Sequence, residues 1–135
     1  MAKAKPTVQS FMTSNVETVS GEKTLKDAIA LMQARKIRHL PVMMNDRVVG
    51  IISDRDIKAA LSMVGVDPSK SLVHYFCTDA VYTVSPDMPL DKVSEVMAEH
   101  HYGSAVVTKN DEVVGIITVV DICKALAYLI RQHYH

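Results

Sequence analysis

The chain has no tryptophan, two phenylalanines and two cysteines among its 135 residues. With so few large rings, a core must be assembled from Val, Ile, Leu, Ala and Met, and a 48% apolar content is enough to supply one. Cys77 and Cys123 show no Cys-x-x-Cys spacing. That excludes a disulfide framework and points to a reducing, cytoplasmic setting. Net charge is also lacking, because fifteen Lys and Arg balance fifteen Asp and Glu. A general nucleic-acid or anionic-membrane binder is therefore not expected. No run approaches the ~18 uninterrupted apolar residues of a membrane span. Residues 1–6, Met-Ala-Lys-Ala-Lys-Pro, lack the apolar segment of a signal peptide and read as a short solvated tail. A Gly-rich phosphate loop, a Gly-x-Ser-x-Gly elbow and a catalytic carboxylate pair are all missing. Of the six histidines, His100 and His101 are neighbours and point about 100° apart on a helix, while His133 and His135 lie in a tail. Neither an enzyme nor a metal site is expected.

What the chain does contain, it contains twice. Val-Val-Gly-Ile-Ile-Ser-Asp-Arg-Asp-Ile-Lys-Ala-Ala-Leu at 48–61 returns as Val-Val-Gly-Ile-Ile-Thr-Val-Val-Asp-Ile-Cys-Lys-Ala-Leu at 113–126. The 65-residue offset extends back to residue 8 without a gap, and 21 of 54 positions are identical to their partners. Unrelated segments should agree at about one position in sixteen, so this is an internal duplication. It divides the chain into a tail (1–7), repeat one (8–65), a linker (66–72), repeat two (73–130) and a second tail (131–135). At this offset Cys77 stands opposite Met12, which marks it as a small hydrophobe in a core slot.

Each repeat reads as β-α-β-β-α. Val16 to Val19 alternate and stop at Ser20-Gly21, which suits a short strand. Leu25, Ala28, Ile29 and Met32 recur at helical spacing and predict an amphipathic helix from about Thr24 to Lys36. In repeat two, Leu90, Val93 and Met97 do the same, with Pro89 in the first turn. His39-Leu-Pro-Val-Met43 predicts a strand whose proline suits an edge or a strand start. Asn45-Asp46 and Asn110-Asp111 mark turns. The uniformly apolar run at 48–52 predicts a strand buried on both faces or nearly so, and Ser53 opens a second helix. One repeat is too small to cover both helices. The expected architecture is therefore α/β, with two repeats packed through their sheets about a pseudo-twofold axis and two symmetry-related clefts between them.

Both second helices begin with a hydroxyl and an acid three residues on, Ser53-Asp-Arg-Asp56 and Thr118-Val-Val-Asp121. As local structure this is a capping box, although Asp has a shorter arm than the usual Glu or Gln and fits imperfectly. As chemistry it suits a nucleotide. Helix N-termini attract phosphate, a hydroxyl can donate to a phosphate oxygen, and a carboxylate can accept from the paired hydroxyls of a ribose.

Together with the repeat, Phe11-Met-Thr13, Thr18-Val19, Leu25-x-x-Ala28, Ile37-Arg-His-Leu-Pro-Val42 and Val49-Gly-Ile-Ile-Ser-Asp-Arg-Asp-Ile57 resemble the cystathionine-β-synthase (CBS) domain. The tandem arrangement, over about residues 8–127, is similar to a free-standing Bateman module. The resemblance implies a non-catalytic sensor of an adenosine-containing ligand (AMP, ADP, ATP, S-adenosylmethionine or NAD) that signals occupancy to an effector protein. It implies no cofactor besides that ligand. Carried over by position, Asp56 and Asp121 hold ribose hydroxyls, and Ser53 and Thr118 meet phosphate or ribose oxygens. Thr18 and Thr83 line the adenosine site, and Val16 and Val81 wall the adenine. Ile37, Arg38 and His39 contact base and phosphates. Repeat two departs from the pattern here, with Tyr102, Gly103 and Ser104 in their place and Val120 for Arg55. Arg38, His39 and Arg55 thus offer phosphate partners to the first cleft, whereas repeat two offers none locally and depends on Arg38 or His39 reaching across the module.

The last helix is apolar around nearly its whole circumference, from Val119 and Val120 through Ile122, Ala125, Leu126 and Leu129 to Ile130. Such a helix needs a partner surface. The family resemblance implies a homodimeric disc, with Ile57, Ala60, Leu61 and Val64 of the first repeat sharing the contact. The competing reading is a ligand-free interaction or dimerisation module in which Ser-x-x-Asp is only a cap.

Overall fold

The computed structural model describes residues 4–134. Repeat one forms α1 (Val8–Phe11), β1 (Thr13–Ser14), β2 (Val19–Ser20), α2 (Leu25–Arg35), β3 (His39–Met44), β4 (Arg47–Ser53) and α3 (Asp54–Leu61). Repeat two opens on a 3-10 turn, Val73–Tyr75, and continues with β5 (Thr83–Val84), α4 (Leu90–His100), β6 (Ser104–Lys109), β7 (Glu112–Thr118) and α5 (Val119–His133). Local chemistry explains most of these boundaries. Thr24 caps α2 in a capping box with Asp27, whose carboxyl is held below its usual range by the Thr24 N–H and hydroxyl. Lys36 ends the helix in the left-handed region. Asn45, Asp46, Asn110 and Asp111 all have positive φ, between 52° and 64°, which makes both hairpins two-residue type I′ turns.

Two compact units result, but they are not the two sequence repeats. One is Glu17–Val81, and the other joins the chain up to Val16 to the chain from Tyr82 onward. In the first unit β2, β3 and β4 form a sheet in that order, with β2 parallel to β3 and β4 antiparallel to it. Leu40, Val42 and Ile52 meet Leu25, Ala28 and Met32 of α2 and Ile57 and Ala60 of α3 in the core, which Val73 completes. In the second unit the order is β1-β7-β6-β5. Its core is Val84, Leu90, Val93, Met97, Ala105, Val107, Ile117 and Ala125, completed by Val8.

The opening segment of each repeat has therefore changed places. Thr13 and Ser14 pair with Ile116 and Gly115, and Thr78 forms a bridge to Ile51 with reciprocal 2.9 Å bonds. The Pro6 carbonyl accepts from Leu90 N–H and, one repeat later, the Ser71 carbonyl accepts from Leu25 N–H, both at 2.9 Å. A solvated tail was expected at residues 1–6, yet Lys5 is ion-paired with Asp91 at 2.9 Å and Pro6 is tied to α4. Residues 1–3 and His135 lie outside the described residues. At the other end α5 continues through His133, so Arg131 to His133 are helical and not tail.

The exchange explains two glycines. A Cβ at Gly50 would lie 2.6 Å from Cys77 Sγ and 2.9 Å from the Thr78 carbonyl oxygen. At Gly115 the same atom would lie 2.7 Å from Met12 Sδ and 2.9 Å from the Thr13 carbonyl oxygen. Cys77 and Met12 thus occupy one slot in two units, and burial pushes the Cys77 thiol up. The side chains could yield, but the backbone carbonyls cannot. Gly115→Ala should cost about 1–3 kcal/mol, as overpacking does, and a melting temperature equal to wild type would refute the close approach.

Three local expectations are corrected. Pro41 lies inside β3, the central strand, and is buried. It is tolerated because its cross-strand neighbour Ile51 spends both backbone groups on Thr78, while β2 begins only at the level of Val42. The matching Val106 in β6 does donate its N–H, to the Tyr82 carbonyl at 2.9 Å. The 48–52 run is not buried on both faces: Gly50 and Ile52 are buried, Val48 and Ile51 half-buried, and Val49 exposed. Helices α2 and α3 cover only the face that carries Ile52. Finally, Pro89 is the N-cap of α4, one position before its first turn.

Candidate functional site

In each unit the hairpin ends beside the start of the second helix. In Glu17–Val81, His39 is the register partner of Ser53, and the Arg38 carbonyl accepts from Asp54 N–H at 2.8 Å. The other unit repeats the closure: Ser104 pairs with Thr118, and the Gly103 carbonyl accepts from Val119 N–H at 3.1 Å. Hairpin closure and helix initiation are thus one structure, which fixes the residues before β3 and β6 next to the hydroxyl-x-x-Asp units.

The caps are complete. Ser53 Oγ accepts from Asp56 N–H at 3.1 Å, and Asp56 Oδ2 accepts from Ser53 N–H at 2.8 Å. Thr118 Oγ1 accepts from Asp121 N–H at 3.2 Å, and Asp121 Oδ2 accepts from Thr118 N–H at 2.9 Å. The expectation that Asp fits imperfectly is corrected, because the extended backbone at both cap residues brings their N–H groups within its shorter reach.

Around the first cap, Arg38 and Arg55 are exposed, His39, Ser53 and Asp56 are half-buried, and Ile37 packs against the core. Thr18 is exposed just before β2, level with Pro41 and so about 7 Å along the sheet from His39. Around the second cap, Thr83 is exposed and pairs with Val106, while Gly103 is exposed and Ser104, Thr118 and Asp121 are half-buried. Tyr102 is ringed by Tyr82 at 5.5 Å and by a stacked His100 at 5.2 Å between centroids. The corresponding positions in the first unit hold Ile37 and a Glu17–Arg35 ion pair of 3.1 Å. One set is charged and the other aromatic.

Val16 and Val81 fall on the far side of the exchange: Val16 belongs to the unit with Thr118, and Val81 to the unit with Ser53. Sequence reasoning passed over Thr13 as a site residue. Its hydroxyl lies 3.3 Å from Asp121 Oδ1 and 3.5 Å from Oδ2. Its signs were the identity of Thr13 and Thr78 at the repeat offset and the place of Thr13 in the Phe11-Met-Thr13 motif.

Two β-α-β-β-α repeats, each with a capped second helix, define a paired regulatory module. The CBS domain family matches residues 8–63 and again residues 73–128, and the chain belongs to that family as a tandem pair, a Bateman module. CBS domain-containing protein YhcV of Bacillus subtilis is 29% identical over 115 residues, spanning 85% of this chain and 81% of that protein. Hypoxic response protein 1 of Mycobacterium tuberculosis is 30% identical over 121 residues, 89% of this chain and 85% of its own. A crystal structure of hypoxic response protein I, with two coordinated zinc ions, is similar with a TM-score of 0.77 at 28% identity, covering 88% and 98% of the two chains. The CBS domain pair of protein MJ0100, in complex with 5′-methylthioadenosine and S-adenosyl-L-methionine, is similar with a TM-score of 0.84 at 25% identity, covering 93% and 99%.

As a CBS-domain pair the chain is a regulatory module and not an enzyme. Among the described residues no three His, Cys, Asp or Glu side chains gather where a metal could be held. No helix among them is long and apolar enough to cross a membrane.

Proposed function

We propose that the chain senses an adenosine-containing ligand and passes its occupancy to an effector protein. The observation that carries this reading is the first helix start, where a capping hydroxyl and a carboxylate stand beside the backbone positions of Arg38 and His39, with Arg55 in the first turn. Asp56 Oδ2 serves the cap, and Oδ1 is the acceptor for ribose hydroxyls. Ser53 accepts from Asp56 N–H and can turn its own proton toward phosphate. Thr18 and Ile37 contribute the adenosine side, and the cations the phosphate side. The second set, with Tyr102, Gly103, Ser104, Thr83, Thr118 and Asp121, has no cation at the equivalent places and suits an uncharged nucleoside group. Support comes from the MJ0100 pair, which holds two adenosine derivatives.

A thermal-shift panel of AMP, ADP, ATP, S-adenosylmethionine, NAD and adenosine tests the reading, because binding to the native state alone raises the melting temperature. Phosphorylated ligands should shift it more than adenosine. No shift from any of them would favour the second reading, a ligand-free interaction module. The completeness of both capping boxes supports that second reading, since each motif already has a structural role.

A further inference from the structure

The two caps share a sequence pattern but differ in what they leave open. Asp56 accepts from Ser53 N–H, and no side-chain hydroxyl donates to it among the described residues. Asp121 accepts from Thr118 N–H at 2.9 Å, from the Thr118 hydroxyl at 3.1 Å and from the Thr13 hydroxyl at 3.3 Å. The Thr118 bond spends on Asp121 the proton that Ser53 keeps available. The Thr13 bond engages Oδ1, the oxygen left open by the cap. Thr13 belongs to β1, whose neighbour across the sheet is Ile116 of β7, so the strand delivers its hydroxyl to the carboxylate. Its counterpart Thr78 forms the same kind of bridge, to Ile51, yet its hydroxyl makes no such bond.

We infer that Thr13 is a specificity-determining residue: its hydroxyl occupies the Asp121 carboxylate in the manner of a ribose hydroxyl, so a nucleoside entering there must first displace the chain's own group. This inference rests on the adenosine-sensing reading and adds a ranking to it. The unit with Asp56 fills first. The unit with Asp121 fills later, and only by detaching Thr13 from α5. Occupancy of the weaker site is thereby coupled to the opening segment of the chain.

Calorimetric titration with AMP and adenosine tests the inference in the Asp56→Ala background, where only the Asp121 site remains intact. Adding Thr13→Val preserves shape and strand preference but removes the competitor, and should tighten adenosine binding about tenfold, the worth of one hydrogen bond to a charged group. Thr13→Ser keeps a hydroxyl and should retain the parental affinity, which separates the hydroxyl from side-chain bulk. Thr78→Val in the otherwise native chain should leave AMP binding at the Asp56 site unchanged. Equal adenosine affinity for Thr13→Val and its parent overturns the gate while leaving the sensor reading intact. Weakened binding in Thr13→Val would instead make Thr13 a ligand contact and also overturn it. Absence of AMP and adenosine binding in the native chain overturns both the gate and the sensor reading.

Discussion

Asp56→Ala is expected to weaken AMP binding ten- to a hundredfold. Each ribose hydroxyl bond to an ionised acceptor is worth about 1.5–3 kcal/mol, and every 1.4 kcal/mol is about tenfold in affinity. The substitution has a second effect, because Asp56 Oδ2 also accepts the Ser53 N–H. Losing that half of the capping box should cost about 1 kcal/mol and lower the melting temperature by a few degrees. Asp56→Asn separates the two effects. Its amide oxygen can still accept from Ser53, so stability should hold while the charge that favours the ribose is gone. Unchanged AMP affinity in both folded variants would return the motif to a plain helix cap.

The second large effect is expected at α5. Its outward side carries Val120 at 62% exposure, Leu126 at 59%, Tyr128 at 51% and Ile130 at 49%. Tyr128 is partly occupied by an edge contact with Phe11. Large apolar side chains exposed along one helix call for a covering surface, and a self-complementary twofold contact is the commonest way to supply it. We expect a homodimer held through this face. The residues that can supply it differ from those expected on sequence. Ala125 is 1% exposed and belongs to its own unit's core, as do Ile57 and Ala60 of α3, whereas Leu61 and Val64 are exposed. Leu126→Glu should therefore yield a monomer or an aggregate with the fold retained. Ala125→Glu should instead unfold the unit, because it buries an unpaired charge. Light scattering at micromolar concentration decides the matter: a wild-type mass near the single-chain 14.9 kDa would refute the interface.

Much of the fold was legible because its determinants are local. The α2 boundaries follow from Thr24 and the Leu25-Ala28-Met32 stripe, the hairpins from Asn-Asp pairs that tolerate positive φ, and the caps from a hydroxyl and an acid three residues apart. Each depends on neighbours within four positions, so spacing alone carries the information. Of the candidate site, only Ser53 and Asp56 were legible for the same reason, joined by a helix start; Arg38 and His39 came from the family resemblance, and the hairpin register sets His39 opposite Ser53. The fate of the 48–52 run was less legible. An apolar run does not say how many faces will be covered, and both α2 and α3 settled on one.

The sequence by itself determined the duplication, the β-α-β-β-α core of each repeat, the turns and caps, and the family. Only the tertiary structure decided which copy each opening segment joins, and with it the bond from Thr13 to Asp121. The physical reason lies in the duplication. Thr13 and Thr78 are the same residue, as are Ile51 and Ile116, and Gly50 and Gly115. At these positions either segment presents the same residue types to either strand, so they do not distinguish pairing within a repeat from pairing across repeats. Chain geometry makes the choice, setting residues 5–14 on α4 and β7 and residues 71–78 on α2 and β4.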